Sequence, residues 1–522
     1  MDRRRFLARG AAWPAATVLG GGLAGCGGGG GGRSGGVVEP APAPAPPPAP
    51  GPSPDADWDA LAAQVQAQGA GQVLRPGESG YDTRRLVANA RYDALRPLGL
   101  LRCASAADVA AGLAFARRKA MPLALRGGGH SYLGASIGPG LVLDVGPMNG
   151  VRLEGEVAVV GAGATLADVY EGLISQGRCI PSGSCLSVGI AGITLGGGFG
   201  VLDRAYGLSC DALIGATVVN AEGQALVCDA GRNSDLFWAL RGGGGGRFGV
   251  LTELRFQSHA VGALLQFSAS FGLDDLEAVL AAWQRWPEQG LPGSAWSQLA
   301  VSPQGGRLWG LALGPHSDAA QFSPIWQALL ARINRPGLAP AALQARSYRD
   351  VLLGDCAGLS LAQCHLPAQN PEGRLGRVTM AASSDFYDQA LAPEGQRALA
   401  DALRARRGQG SGGVILNLMG GAIAQLSHQA TAFPHRAALF SAQYGVELPP
   451  FATASAVEEG ARWTHGLREL MRPWSSGRAY LNYPDASIAD PLPAYHGSHL
   501  ARLQQIKQAQ DPSGLFKTVQ GL

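Results

Sequence analysis

His130 and Cys185 are the two nucleophilic side chains that the sequence flanks with enough glycine for a flat cofactor to lie against the backbone. The first sits in Leu125-Arg126-Gly127-Gly128-Gly129-His130-Ser131, directly after the apolar run Met121 to Leu125, which is short enough for a buried strand. A strand therefore runs into a glycine loop. Three successive glycines let backbone N–H groups turn toward one point, an anion nest suited to a diphosphate, with Arg126 as a charged supplement. The second nucleophile lies in Pro181-Ser182-Gly183-Ser184-Cys185-Leu186-Ser187-Val188-Gly189, continued by Gly192, Gly196, Gly197, Gly198, Phe199 and Gly200. This stretch has no regular apolar period and too much glycine for a helix, so it reads as backbone packed against a ligand. An imidazole nitrogen and a thiolate can each bond to an electrophilic carbon. Taken singly, a histidine after a glycine loop is equally a hydrogen-bonded loop residue, and a lone cysteine equally a buried inert thiol.

The ordered motifs R-x-G-G-H-S, G-x-C-x-x-V-G-x-x-G-x-x-x-G-G-G-x-G and Asp235 to Gly242 (DLFWALRG) resemble the berberine-bridge-enzyme-like branch of the vanillyl-alcohol-oxidase flavoproteins. The resemblance resumes at Thr431 to Arg436 (TAFPHR), at Tyr480 to Asp485 (YLNYPD) and from Tyr495 to Leu522, where Asp511, Pro512, Phe516 and Gln520 stand in place. It covers about residues 70–256 and 414–522 and is weak between them. The resemblance implies an α+β fold: a two-part PCMH-type FAD-binding domain, and an antiparallel-sheet substrate domain roofing the flavin. It also implies FAD held by two covalent bonds, through His130 and Cys185, with Arg126, Gly127, Gly128, Gly129, Ser131, Val188, Gly189, Gly192, Gly196, Gly197 and Gly198 at the cofactor. Tyr483 matches a tyrosine proposed as catalytic base, and Gln443 a glutamine on the strand under the substrate. Ser441 stands where some plant members have a lysine. A free phenol has a pKa of about 10, so an ionised Tyr483 near neutral pH would need roughly three units, about 4 kcal/mol, of favourable surroundings. Val188, three residues after the cysteine, is the residue type that the family associates with fast reaction of reduced flavin with dioxygen. Phe199 replaces a common tyrosine, and His499 a common asparagine, either as a substitute polar group or as a surface residue. His435 and Arg436 read as structural.

The elements that must position these residues are legible around them. Ser105 to Asp108 is a capping box that opens an amphipathic helix to about Lys119. Strands follow at Met121 to Leu125, Leu141 to Val145 and Val157 to Val160, then a helix from Thr165 to Gln176, an α/β alternation. Gly161-Ala162-Gly163-Ala164-Thr165-Leu166 imitates a dinucleotide fingerprint, but Leu166 occupies the third glycine position and obstructs close helix–strand packing. Leu213 to Val219 and Gln224 to Cys228 form a hairpin through Asn220-Ala221-Glu222-Gly223, a helix follows at Asp235 to Leu240, and Val250 to Phe256 is a strand. Farther on, helices are expected at Leu276 to Trp286, Pro393 to Arg407 and Ala456 to Trp474, with strands at Gly413 to Leu418 and Ala437 to Tyr444.

Asp2-Arg3-Arg4-Arg5-Phe6-Leu7 resembles a twin-arginine export signal, and Leu23-Ala24-Gly25-Cys26 a lipoprotein cleavage box. The expected organisation is a signal over 1–26, a Gly/Ala/Pro tether over 27–57, a FAD-binding domain over 58–256, a substrate domain over 257–475 and a closing segment over 476–522 that returns to the FAD-binding domain. The expectation is therefore a protein exported by the twin-arginine pathway, a periplasmic or cell-envelope lipoprotein that touches the membrane only through a lipid on Cys26. A charged content of 16% and a net charge of +3 leave no nucleic-acid footprint. Of eight cysteines none forms a C-x-x-C pair, which leaves zinc ribbons and c-type haem unsupported, and no metal is expected. Cys356 and Cys364 either form a disulfide or stay free; Cys103, Cys179, Cys210 and Cys228 read as core thiols. The functional expectation is an FAD-dependent oxidase that takes a hydride from an alcohol, a carbohydrate being one candidate class, and passes electrons to O2 to give H2O2. The alternatives are a dehydrogenase with a quinone or protein acceptor, and a lipoprotein that only binds a ligand.

Overall fold

A computed structural model describes residues 55–522, so the expected export signal, Cys26 and nearly all of the expected tether lie outside the described residues. The first helix, Asp55–Gln68, takes in the last three residues of the expected tether. Ser105 and Asp108 form the expected capping box, each side chain bonding the other's backbone N–H, and the helix runs Ala106–Arg118. It carries the chain from one strand of a small sheet to the next.

That sheet contains β1 (Gln72–Leu74), β2 (Gly99–Arg102), β3 (Leu123–Arg126) and β4 (Leu141–Asp144), in the order β1-β2-β4-β3. β2, β4 and β3 are parallel, and β1 is antiparallel to β2. A second, antiparallel sheet is built from β5 (Val151–Glu154), β6 (Val157–Gly161), β8 (Leu213–Val219), β9 (Ala225–Asp229) and β10 (Val250–Gln257), in the order β5-β6-β10-β8-β9. The short β7 (Arg178–Cys179) pairs with β11 (His259–Ala260). β6 is antiparallel to both its neighbours, so the Gly161–Leu166 segment does not sit in a Rossmann unit. Its glycines serve a different purpose: a Cβ on Gly163 would collide with the Val145 carbonyl oxygen and one on Gly161 with that of Met148, so they let the two sheets meet backbone to backbone. Thr165 and Asp168 then form a second capping box for the helix Leu166–Ile174.

The largest sheet has eight strands: β12 (Leu264–Phe271), β13 (Trp296–Ser302), β14 (Gly305–Ala312), β15 (Ala339–Pro340), β16 (Gln344–Arg346), β17 (Thr379–Tyr387), β18 (Gly413–Leu418) and β19 (Phe440–Leu448). Its order is β15-β12-β14-β13-β18-β19-β17, with β16 also on β12, and the pairs are antiparallel. Side chains alternate between faces along each strand. One face packs through Leu299, Val414, Leu416, Phe440 and Tyr444 into a core that includes Trp283, Trp286, Trp326 and Leu467 from the covering helices. The opposite face therefore receives Trp296 and Gln298 of β13, Ile415 and Asn417 of β18, and Gln443 and Glu447 of β19, and it roofs a cavity.

One local expectation is corrected. Ile190–Leu195, inside the glycine-rich stretch, is a short helix, because Ile190, Ala191, Thr194 and Leu195 are buried while Gly192 faces open space. Tertiary burial there outweighs glycine's roughly 1 kcal/mol helix penalty.

Candidate active site

Between the roof and the two smaller sheets lies a cavity of about 830 Å³, within the ~300–1,000 Å³ range of ligand pockets. His130 and Cys185 both line it. β3 delivers Arg126 to the start of the His130 loop, and Gly129 takes the left-handed φ of +75° that turns the chain. The two nucleophile loops touch backbone to backbone: a Cβ on Gly128 would collide with the nitrogen of Gly189, and one on Gly189 with the nitrogen of Gly128. Ser187 links the nucleophiles, its Oγ lying 3.0 Å from His130 Nε2 and 3.9 Å from Cys185 Sγ. Burial lowers the His130 pKa to about 4 against the opposing hydrogen bond to the Ser187 backbone, so the imidazole is neutral at physiological pH. Cys185 is exposed, but to the cavity. Burial raises its thiol pKa, the Ser187 hydrogen bonds oppose this, and the nearby carboxylates of Asp355 and Glu447 add to it.

Tyr483 lines the same cavity but is not on a strand; it follows a turn in which its N–H donates to the Tyr480 carbonyl at 2.9 Å. Its ring is stacked on Tyr132 and meets Tyr480 edge-on. Burial, with a contribution from Cys185, raises its pKa to about 12, the opposite of what an ionised base requires. Gln443 Nε2 donates to the Tyr132 hydroxyl at 2.9 Å. A second polar line crosses the roof, Trp309 Nε1 donating to Gln298 Oε1 and Gln298 Nε2 to Asn417 Oδ1, both at 2.8 Å. Glu447, two pleat repeats beyond Gln443 on β19, lines the cavity with its pKa raised to about 7 by burial alone.

Several expected cofactor residues are placed differently. Arg126 lines the cavity, but its guanidinium is buried and spent on Asp144, at 2.9 Å, so it is not a free cation for a diphosphate. The guanidinium that lacks a carboxylate partner among the cavity's described residues is Arg247, beside Gly244, Gly245 and Gly246. It is buried, its pKa is lowered to about 10 by desolvation, and it lies 3.3 Å from His496 Nε2. Gly196, Gly197 and Gly198 do not line the cavity: a Cβ on them would strike Asn482, Phe433 and Ser209, so these glycines admit the closing segment, the loop at Thr431 to Arg436 and a neighbouring helix rather than a ligand. Gly127, Gly128, Gly129, Ser131, Val188, Gly189 and Gly192 do line it. His499 is neither polar substitute nor surface residue; it is buried, with Nδ1 donating to the Ala432 carbonyl at 3.3 Å. Arg436 forms a buried pair with Asp211, its Nη1 at 2.6 Å, and His435 Nε2 lies 3.1 Å from the Tyr495 carbonyl, both structural. Cys356 and Cys364 form a disulfide, and Cys103, Cys179, Cys210 and Cys228 are buried thiols.

Sequence reasoning missed Tyr132, Ser187, Arg247, Asp355 and Glu447. Tyr132 and Ser187 stand within two residues of the nucleophiles, a signal that was available. Asp355 and Glu447 carry no local motif and are identified only by where their elements place them.

The cavity accepts FAD on the chain's own features. A buried, unpaired guanidinium is stabilised by an anion, two glycine loops expose backbone to it, and a neutral imidazole and a thiol share one wall. The model for an FAD binding domain matches residues 97–229, and the model described as berberine and berberine like matches residues 479–522. The chain is 29% identical over 436 residues to an FAD-linked oxidoreductase of Bacillus subtilis, covering 80% of this chain and 90% of that protein. It is 28% identical over 442 residues to the chitooligosaccharide oxidase of Gibberella zeae, covering 80% and 85%. Among solved structures, Physcomitrella patens BBE-like 1 superposes with a TM-score of 0.78 at 27% identity over 87% of this chain and 97% of that one. The glucooligosaccharide oxidase of Acremonium strictum, which carries a 6-S-cysteinyl, 8α-N1-histidyl FAD, shares the fold at a TM-score of 0.79 and 24% identity, over 88% and 98%. The chain thus carries an FAD-binding and a berberine-like domain and is similar over most of its length to the berberine-bridge-enzyme-like FAD-linked oxidoreductases.

Proposed function

We propose that the protein is an exported oxidase that holds FAD through both His130 and Cys185, oxidises an alcohol of the carbohydrate class and uses O2 as acceptor. The observation that carries this reading is the pairing of His130 and Cys185 through Ser187 on the wall of a cavity whose roof is polar. FAD supplies the two-electron chemistry. The chain's residues hold it and manage the proton. Arg247 and the Gly244–Gly246 backbone are suited to its diphosphate. Gln298 and Asn417 offer amides to a polyhydroxylated substrate, which is also the class on which the chitooligosaccharide and glucooligosaccharide oxidases act. Tyr483, a phenol at neutral pH, orients the reacting hydroxyl by hydrogen bonding. Glu447, with a pKa near the working pH, is the cavity group suited to receive its proton.

A screen of sugars, oligosaccharides and simple alcohols by anaerobic bleaching of the visible flavin absorption tests the reaction class, and readmission of air tests the acceptor. Bleaching by a carbohydrate and rapid recovery in air are expected. Protein that stays reduced in air for minutes moves the assignment to a dehydrogenase, and purified protein without flavin absorption moves it to a binding lipoprotein. Export and anchoring rest on Arg3, Arg4 and the Leu23 to Cys26 box. Cys26→Ser is expected to release the protein from membrane fractions, and Arg3→Lys with Arg4→Lys to hold it in the cytoplasm; unchanged fractionation of both variants refutes the signal.

A further inference from the structure

The segment between the short helical turn Gly354–Cys356 and β17 crosses the FAD-binding part as a strap. The disulfide Cys356–Cys364 closes its first loop. His365 pins it next: Nδ1 donates to the Leu361 carbonyl at 2.7 Å, and Nε2 lies 3.2 Å from Asp168 and 3.2 Å from Thr165 Oγ1, the capping pair of the helix Leu166–Ile174. Arg84 Nη1 then donates to the carbonyls of Ala368 and Gln369, at 2.9 and 2.8 Å. Held this way, Gln369 places its side chain at the junction of the two nucleophile loops. Its Nε2 donates to the Gly128 carbonyl at 2.8 Å and to the Ser187 carbonyl at 2.6 Å, while its Oε1 accepts from the Leu366 N–H at 3.0 Å. The amide is thus satisfied at both ends, and the reverse orientation would set its oxygen against two carbonyls.

Gly128 is two residues before His130, and Ser187 two residues after Cys185. Ser187 Oγ in turn contacts both nucleophiles. Gln369 therefore bridges the loops from behind while Ser187 bridges them in front. The loops otherwise meet at Gly128 and Gly189, where neither has a side chain to hold the other.

We propose that Gln369 is the positioning residue for double attachment: by tying the Gly128 and Ser187 carbonyls together it fixes the separation of His130 and Cys185, so that one flavin ring meets both. The proposal rests on the two-bond reading above. Each attachment exchanges an N–H or S–H bond, and a C–H bond of the ring system, for one new bond to carbon; the two electrons and two protons released are taken up by O2 as hydrogen peroxide. Two bonds to one rigid ring tolerate less error in the distance between the loops than one bond does.

The test is peptide mapping of the denatured, proteolysed holoprotein, scoring flavin joined to both the His130 and Cys185 peptides against flavin joined to one. Wild type is compared with Gln369→Leu, Gln369→Glu and Gln369→Lys, each read on the folded fraction. Leu removes both donors, Glu turns them into acceptors facing two carbonyls, and Lys restores donors at similar reach. The ratio of doubly to singly linked flavin is expected to fall at least about fivefold in Leu and Glu, the scale of one lost hydrogen bond, and to recover in Lys. A merely stabilising strap would lower thermal stability in Leu without shifting that ratio or its rescue. An unchanged ratio in Leu and Glu overturns the role of Gln369 alone, whereas wild type without any doubly linked flavin overturns the two-bond reading itself.

Discussion

Tyr132 and Tyr483 lie face to face, with ring centroids 5.5 Å apart and planes within 5° of parallel. The roof strand holds this pair through the Gln443 bond to the Tyr132 hydroxyl, and Tyr480 closes on the other side of Tyr483 at 4.9 Å and 89°. A phenol enclosed by two rings is well aimed and poorly solvated, which is why its pKa rises to about 12. Tyr483→Phe is expected to slow anaerobic flavin reduction by at least about a hundredfold, the lower end for loss of a proton-handling group, with normal flavin loading. An unaltered reductive rate removes Tyr483 from the reaction. Because the raised pKa keeps the phenol protonated at neutral pH, its titration contributes no pH dependence between pH 6 and 9.

Glu447 supplies that dependence instead. Its pKa of about 7 predicts that flavin reduction accelerates as pH rises through 7, as the carboxyl becomes ionised and able to accept a proton. Glu447→Gln should flatten this limb; a limb that persists in the variant belongs to another group.

The same shift has a stability consequence of defined sign. An unfolded glutamate titrates near 4.3. Below that pH the carboxyl is protonated in both states and costs nothing; as pH rises toward 7 the unfolded chain releases its proton while the folded one keeps it, so stability is lost, and above about 7 the loss is complete. Glu447→Gln is therefore expected to raise the melting temperature at pH 8 by several degrees, at about 2–4 °C for each ~1 kcal/mol in a domain of this size, and to leave it unchanged at pH 4. Equal shifts at both pH values mean that the carboxyl is not desolvated.

The two-part cofactor fold and both nucleophile loops were legible in the sequence because their signals are local: capping boxes at Ser105 and Thr165, short apolar runs for β3, β4 and β6, and glycines at places where backbones touch. The roof was legible in kind but not in detail. Gln443 and Glu447 share a face with Gln298 and Asn417 only through the register of β13, β18 and β19, which no short stretch of sequence encodes. For the same reason Arg126 read as a cation for a diphosphate: its partner Asp144 is on the neighbouring parallel strand. Gly196 to Gly198 likewise read as a ligand cradle, because nothing local distinguishes a glycine that admits a cofactor from one that admits Asn482.

For the nucleophiles, the Ser187 hydroxyl occupies Nε2 of the neutral His130 ring, which leaves Nδ1 as the nitrogen free to bond carbon. Mass spectrometry of denatured wild type should show one FAD, joined at Nδ1 of His130 and at Cys185. His130→Ala and Cys185→Ala should each keep one FAD through the remaining bond. Loss of all FAD on denaturing either variant would mean that its partner does not bond on its own.

Val188 bears on the electron acceptor. It lines the cavity, its N–H donates to the Cys185 carbonyl at 3.1 Å, and its carbonyl accepts from the Leu166 N–H at 2.9 Å. The backbone is thus tied at both ends, to the nucleophile loop and to a buried helix start. An added methylene cannot be absorbed by retreat of the loop and must project into the cavity or strain the packing, typically at ~1–3 kcal/mol. If that space is the approach of O2 to the flavin, the cost falls on reoxidation. Val188→Leu is expected to slow reoxidation by about 10- to 100-fold, as the same energy implies for a rate, with reduction by substrate changed far less. Val188→Ala, which opens the space, should leave reoxidation as fast as in wild type or faster. Stopped-flow measurement of the two half-reactions decides: equal slowing of both in Val188→Leu would show that the valine only fills volume.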